Sequence, residues 1–327
     1  LIRKEDNFNF VDKRYSYLLN EYIYTGFNAT NPQTSKNQKI EIKEEGDVLT
    51  SIVVYSDAPG CNKLSQEIVL FNDLDRIDII NFIDKKKIYD KENVRFSFPF
   101  NINSQTIRME LPWSVISPEK DQLPGANKNF FTIQRWIDVS NDQNGITLAT
   151  IDVPFIEIGE MTAEAYMVTP HAFGAEQKWM KTAKNSPLIF SWAMNNSWHT
   201  NYKATQEGLF KARYSLKTHK KFDYLSAYKF GVENSQPLIV LPIDNEENEI
   251  NKIVFDENIV VTSIKPSKDN KYLMIRLFNP SDKEITTHFI GKNKFSECYI
   301  SREDESIIEK ITNDIILKPF DVITLKV

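Results

Sequence analysis

Four histidines, His171, His199, His219 and His288, are candidates for chemistry, because imidazole is the commonest metal ligand and a proton carrier near neutral pH. None stands in an H-x-x-x-H, H-x-D or H-E-x-x-H spacing, the arrangements that bring two side chains onto one metal ion. No G-x-S-x-G elbow, glycine-rich phosphate loop or activated cysteine context occurs, and ten glycines leave little material for phosphate cradles. Carboxylates present the opposite difficulty. Asp152, Glu157, Glu160 and Glu164 could supply the acid pair of a glycosidase, with carboxyls roughly 5–10 Å apart. A chain with 45 acidic residues offers many such sets, so solvated or structural roles outweigh a catalytic one.

One stretch differs in kind. Ser191-Trp192-Ala193-Met194-Asn195-Asn196-Ser197-Trp198-His199-Thr200-Asn201-Tyr202 mixes aromatic rings with amides and hydroxyls. Sugars are held by this mixture, since aromatic faces cover C–H surfaces and planar amides pair with vicinal hydroxyls. The same residues would serve equally in a buried loop, with the amides satisfying backbone groups and Trp192 and Trp198 filling the core. The stretch is expected as a loop leading into the strand over 207–217.

The elements that must position these groups are strands. Gly208, Phe210, Ala212, Tyr214 and Leu216 share one face of that strand, and Lys211, Arg213, Ser215 and Lys217 the other. Val94, Phe96 and Phe98 alternate with Arg95 and Ser97, and Ile107, Met109 and Leu111 with Arg108 and Glu110. Leu273, Ile275 and Leu277 alternate with Met274, Arg276 and Phe278. The best helix candidate is short, from Asp223 as N-cap to Phe230, closed by Gly231. No helix-length crossovers separate the strands, so the fold class is all-β, built as sandwiches. The polar run over 244–249 cannot pack a core and marks a linker between domains at 1–235 and 236–327.

Composition closes several options. With 40 Lys+Arg against 45 Asp+Glu in 327 residues, a net charge of −5 does not favour a phosphate backbone. The cluster Lys85-Lys86-Lys87 reads as solvated surface. No apolar run of 18 residues is present. Nucleic acid and membrane are therefore not expected partners. Cys61 and Cys298 read as two unrelated thiols. The start, Leu1-Ile2-Arg3-Lys4, has neither Met nor a signal-peptide core and reads as a cut through a longer polypeptide.

Met194 to Tyr202, with Gln206-Glu207-Gly208 and Phe210 to Tyr214, resembles a motif of the C-terminal region of glycoside hydrolase family 38, the α-mannosidases, in its bacterial form. Supporting segments occur in order: Asn20 to Tyr24, Asp57 to Cys61, Phe96 to Phe100, Gln122 to Ala126, Gln134 to Ser140, Asp152 to Pro154, Ile275 to Ser281 and Lys318 to Val322. The resemblance spans nearly the whole chain. It implies a galactose-mutarotase-like β-supersandwich over 1–235, begun inside that domain, and a small C-terminal β-sandwich over 236–327.

In that family the resemblance places zinc, held by His and Asp, and an Asp nucleophile in an N-terminal barrel followed by a helical bundle. Neither segment is in this chain. No catalytic residue, metal ligand or cofactor is therefore assigned to it. Its implied partners are that barrel and bundle of the same polypeptide, with a mannose-containing glycan at their rim. The residues assigned to the rim or to sugar are Asn195, Asn196, Trp198, His199, Asn201, Tyr202, Arg135, Trp136 and Asp138. Two other readings stand beside this one: a stand-alone carbohydrate-binding module, and a mutarotase-like sugar epimerase. The epimerase requires a His and a carboxylate facing each other across a concave sheet, and His171 or His199 with Glu207 is the pairing to examine.

Overall fold

Period-two alternation demands strands, and a computed structural model of the chain has 51% of it in strands against 4% in helix. The structure describes residues 1–26, 31–162, 180–196, 203–240, 242, 254–290, 297–311 and 314–327. They form two compact units. One comprises Leu1–Leu111, Ile116–Phe222 and Phe230–Ser235; the other comprises Pro112–Val115, Asp223–Lys229 and Gln236–Val327. The polar run over 244–249 lies outside the described residues.

The first seventeen strands, in chain order, are β1 (Ile2–Arg3), β2 (Phe8–Asn9), β3 (Glu21–Gly26), β4 (Gln33–Thr34), β5 (Lys36–Glu45), β6 (Leu49–Asp57), β7 (Cys61–Phe71), β8 (Ile77–Lys85), β9 (Glu92–Pro99), β10 (Thr106–Leu111), β11 (Ser114–Ile116), β12 (Phe131–Thr132), β13 (Trp136–Ser140), β14 (Gly145–Thr150), β15 (Phe155–Ile158), β16 (Leu188–Asn195) and β17 (Gly208–His219). One sheet runs β11-β10-β13-β14-β17-β8-β7-β6-β5, the other β12-β15-β16-β9-β3-β4. The ladders joining β13, β14, β17 and β8, and those joining β15, β16, β9 and β3, are antiparallel.

The core lies between these sheets because each turns one alternating face inward. Ala212, Tyr214 and Leu216 from β17 meet Val94, Phe96 and Phe98 from β9 in one buried cluster. Phe98 and Tyr214 pack edge to face at 5.0 Å between centroids. The Tyr214 hydroxyl donates to Ser191 Oγ at 2.8 Å, tying β17 in one sheet to β16 in the other. A second polar tie is an exchange of side-chain amide hydrogen bonds between Asn20 and Asn81, both buried, at 2.8 and 3.0 Å.

Helix α1 (Tyr224–Ser235) starts as expected, with Asp223 Oδ1 accepting from the Ser226 N–H at 2.7 Å. It does not stop at Gly231. The glycine sits inside the helix because Trp136 is too close for a side chain: an added Cβ would lie 2.7 Å from Trp136 Cδ1.

The second unit is built on β18 (Val254–Phe255), β19 (Val260–Pro266), β20 (Leu273–Phe278), β21 (Ile285–Thr287), β22 (Phe289–Ile290), β23 (Cys298–Ser301), β24 (Ile307–Ile311), β25 (Ile315–Leu317) and β26 (Val322–Lys326). Its five-stranded sheet, β19-β20-β26-β23-β24, accompanies the two-stranded ribbons β18-β22 and β21-β25. Ile275, Leu277 and Leu325 from the sheet share a core with Phe255, Ile315 and Leu317 from the ribbons.

Candidate functional site

Residues distant in sequence converge where β3, β8, β9 and β16 come together. Asn195 is the last residue of β16 and pairs across the ladder with Asn93 of β9, so it belongs to the strand rather than to the expected loop. Asn196 follows it and is 7% exposed. Its Oδ1 accepts from the Glu92 N–H at 2.5 Å, and its Nδ2 donates to the carbonyls of Asp90, Ile88 and Ala204 at 2.9, 3.3 and 3.3 Å. Every polar atom of that amide is engaged with main chain. Asn195 differs: its Oδ1 is buried without a hydrogen-bond partner among the described residues. Trp198, His199, Asn201 and Tyr202 lie outside the described residues.

Glu92, clamped by Asn196, forms an ion pair with Lys85 at 2.5 Å, with the two side chains 2% and 1% exposed. Lys85 is thus not the solvated residue its basic cluster suggested. It closes a strand whose odd positions, Ile79 and Ile83, enter the core, and that parity carries Lys85 inward. The Tyr22 hydroxyl, beside this pair, donates to the Pro59 carbonyl at 2.6 Å and lies 3.2 Å from Cys61 Sγ. Tyr24 packs against Gly60, whose φ of +75° admits a side chain poorly and whose added Cβ would lie 2.6 Å from the ring. Burial pushes both phenols upward, helped by Cys61 at Tyr22 and by Glu92 at Tyr24, and burial likewise raises the Cys61 thiol. All three stay protonated near neutral pH, so Cys61 is a thiol there rather than the thiolate that attacks.

Arg135, Trp136 and Asp138 lie elsewhere, Trp136 and Asp138 in β13 of the nine-stranded sheet and Arg135 just before it. Arg135 forks onto Glu110, with Nη2 to Oε1 at 2.6 Å. Burial raises the Glu110 carboxyl in spite of that partner. Trp136 is fully buried. Asp138, also fully buried, accepts from Ser140 Oγ at 2.5 Å and Thr147 Oγ1 at 2.8 Å, and pairs with His219 Nε2 at 2.7 Å. The His219 ring covers Gly145, where an added Cβ would fall 2.1 Å from Cε1. Gly145→Ala should displace the imidazole from Asp138. The His219 ring resonances, followed by NMR, should then move relative to wild type, and unchanged resonances would refute this packing.

The acidic set resolves into separate ion pairs. Asp152 holds Arg213 at 2.8 Å, Glu160 reaches Lys184 at 3.7 Å, and Glu164 lies outside the described residues. Glu157 binds Arg95 at 2.5 Å with both side chains fully buried, and also accepts from the Thr162 N–H and hydroxyl. The Arg95 guanidinium lies 4.2 Å from the Trp192 ring centroid. For the epimerase pairing, both His171 and His199 lie outside the described residues. Exposed Glu207 is held by Lys203 at 2.6 Å, which depresses its carboxyl to about 2. Among the described residues, no group of three His, Cys, Asp or Glu side chains fits a metal ion.

Two family models match the chain in order: the glycosyl hydrolases family 38 C-terminal domain over residues 9–152, and the glycosyl hydrolases family 38 C-terminal beta sandwich domain over residues 258–325. Together they cover more than half of it. The chain belongs to the C-terminal region of glycosyl hydrolase family 38. Among solved structures, this family 38 chain is similar to an alpha-mannosidase from Enterococcus faecalis V583, with a TM-score of 0.72 at 15% identity over 97% of the chain. It is equally similar to a family 38 protein from Enterococcus faecalis, with a TM-score of 0.71 at 15% identity. It spans only 40% and 41% of those chains' lengths. No curated protein matches it. The Asn195-Asn196 stretch lies between the two matched segments, whereas Tyr22, Cys61, Lys85 and Glu92 fall within the first.

Proposed function

We propose that this family 38 chain is the non-catalytic C-terminal β-region of an α-mannosidase-like glycoside hydrolase, packed on an N-terminal catalytic domain of the same polypeptide. One observation carries the reading: among the described residues, the most deeply buried carboxylates are each paired with a cation or imidazole inside the fold, Glu92 through its Oε1 alone. Glu92 is taken by Lys85, Glu157 by Arg95, Glu110 by Arg135 and Asp138 by His219 with two hydroxyls. A general acid or nucleophile must face substrate, and these face partners inside the fold. The reading extends to a mutarotase-like supersandwich ending near residue 235, followed by a small sandwich. The zinc implied by the family belongs to the N-terminal domain.

Within this reading, Asn195 and Asn196 divide the work. Asn196 holds the strand end, while the Asn195 Oδ1, without a partner among the described residues on a half-buried side chain, becomes an acceptor for a sugar hydroxyl or the catalytic domain once the side chain turns outward. In the full-length enzyme, Asn195→Ala should lower kcat/KM by about tenfold, or about 1.4 kcal/mol. The melting temperature of the 327-residue chain should stay unchanged. Unchanged kinetics with a lower melting temperature would make Asn195 purely structural. Turnover of an aryl α-mannoside by the 327-residue chain alone would refute the non-catalytic assignment.

A further inference from the structure

The second unit's sheet has an outer face that the proposed function leaves unused. Strand registers place Lys265, Met274, Lys326, Tyr299 and Lys310 in one row across β19, β20, β26, β23 and β24. The next row carries Ser263, Arg276, Thr324 and Ser301. These residues lie opposite Ile275, Leu277 and Leu325, which fill the core; Met274 and Ser301 are buried within the rows, and Lys265 and Lys310 are exposed. A cavity of about 200 Å³ opens among Ser263, Lys265, Met274, Arg276 and Thr324. Four cations therefore stand on this face of a chain that is acidic as a whole, and no strand residue in either row is a carboxylate.

Two of the ammonium groups, those of Lys326 and Lys310, are held in place. Lys326 Nζ lies 4.5 Å from the Tyr272 ring centroid and donates to the Glu305 carbonyl at 3.2 Å. Lys310 Nζ lies 5.7 Å from the Tyr299 ring, and Glu297 pairs with it at 3.0 Å. That pair is about half exposed, so an incoming anion displaces it at little cost. Resting long cations on aromatic faces removes rotamer freedom before a ligand arrives.

We infer that this face binds an acidic polysaccharide, with one carboxylate or sulfate per disaccharide laid along the row Lys265–Lys326–Lys310. Spacing decides between polyanions. Each of these lysines is two strands from the next, or about 10 Å at the usual strand separation, a distance matched by alternate rings of an extended glycan. A nucleic-acid duplex presents one charge per roughly 1.7 Å of axis, too densely for this row to neutralise. Single-stranded nucleic acid needs bare aromatic faces for its bases, and here lysines already occupy the tyrosine faces.

Calorimetric titration of the 327-residue chain with a hyaluronan octasaccharide, which carries one uronate per disaccharide, tests this inference. Binding should appear at low salt and weaken as salt rises. Neutral dextran should not bind, and a DNA duplex should bind at least about tenfold more weakly. Lys326→Gln together with Lys265→Gln and Lys310→Gln should abolish the hyaluronan signal. Because Lys326 braces Tyr272, a second variant, Lys265→Glu with Lys310→Glu, changes only exposed lysines and should weaken binding by about tenfold or more. No hyaluronan binding at low salt, affinity unchanged in the second variant, or equal affinity for DNA would each overturn the inference.

Discussion

Glu157→Ala should cost about 3–5 kcal/mol of folding stability, the range expected when one partner of a buried ion pair is removed. The Arg95 guanidinium is fully buried beside Trp192 and loses its bidentate carboxylate, and the Thr162 N–H loses its acceptor, while the Thr162 hydroxyl keeps the Asn129 carbonyl at 2.9 Å. Neither group can turn to water without opening the sheet. Urea unfolding of wild type and variant at neutral pH measures the difference. The double replacement Arg95→Met with Glu157→Met should recover much of the loss, because it removes the stranded charge as well. A deficit below about 1 kcal/mol for Glu157→Ala would mean that water reaches this pair.

Asn196→Ala should cost about 2–4 kcal/mol, since it strands the buried Glu92 N–H and removes the donor that the Asp90 carbonyl accepts from. Asn196→Asp tests which way the amide points. It preserves the acceptor facing Glu92 but turns a carboxylate oxygen toward three carbonyls, so at neutral pH it should destabilise at least as much as Ala. The introduced carboxyl has its folded-state pKa raised above the unfolded value by those carbonyls. Its stability deficit should therefore be smallest at acid pH and grow as pH rises through the folded-state pKa. Melting curves of both variants between acid and neutral pH check this. A pH-independent deficit for Asn196→Asp, measured against wild type, would mean that the amide is flipped.

The all-β class and the inward faces of β9, β10, β17 and β20 were legible because period two is a local property and one residue reveals the next. The buried charges were less so. Lys85 stands in a basic triplet and only strand parity distinguishes it from its neighbours. Arg95 alternates out of the main core, and nothing local announces that Trp192, Glu157 and Thr162 will bury it from other strands. Gly231 looked like a helix terminator for the same reason: the indole it must admit lies ninety-five positions earlier, at Trp136. In the Asn-Trp-His stretch, chemistry alone left structure and sugar binding open, and the register between Asn195 and Asn93 then put the first amide in a strand. Pairing partners set by tertiary contact cannot be read from spacing.

The position of β17 also sets when the protein can fold as it is made. This strand lies between β14 and β8, and its Ala212 pairs with Asn81, 131 positions earlier. At synthesis rates of about 5–20 residues per second, that separation leaves β8 without its neighbour for on the order of ten seconds. During that interval the β5–β8 meander can form, but its inner edge and the apolar face around Ile79 and Ile83 stand open to other chains. The nascent chain therefore carries an adhesive edge until His219 has left the ribosome, and its yield depends on what shields β8 in the meantime.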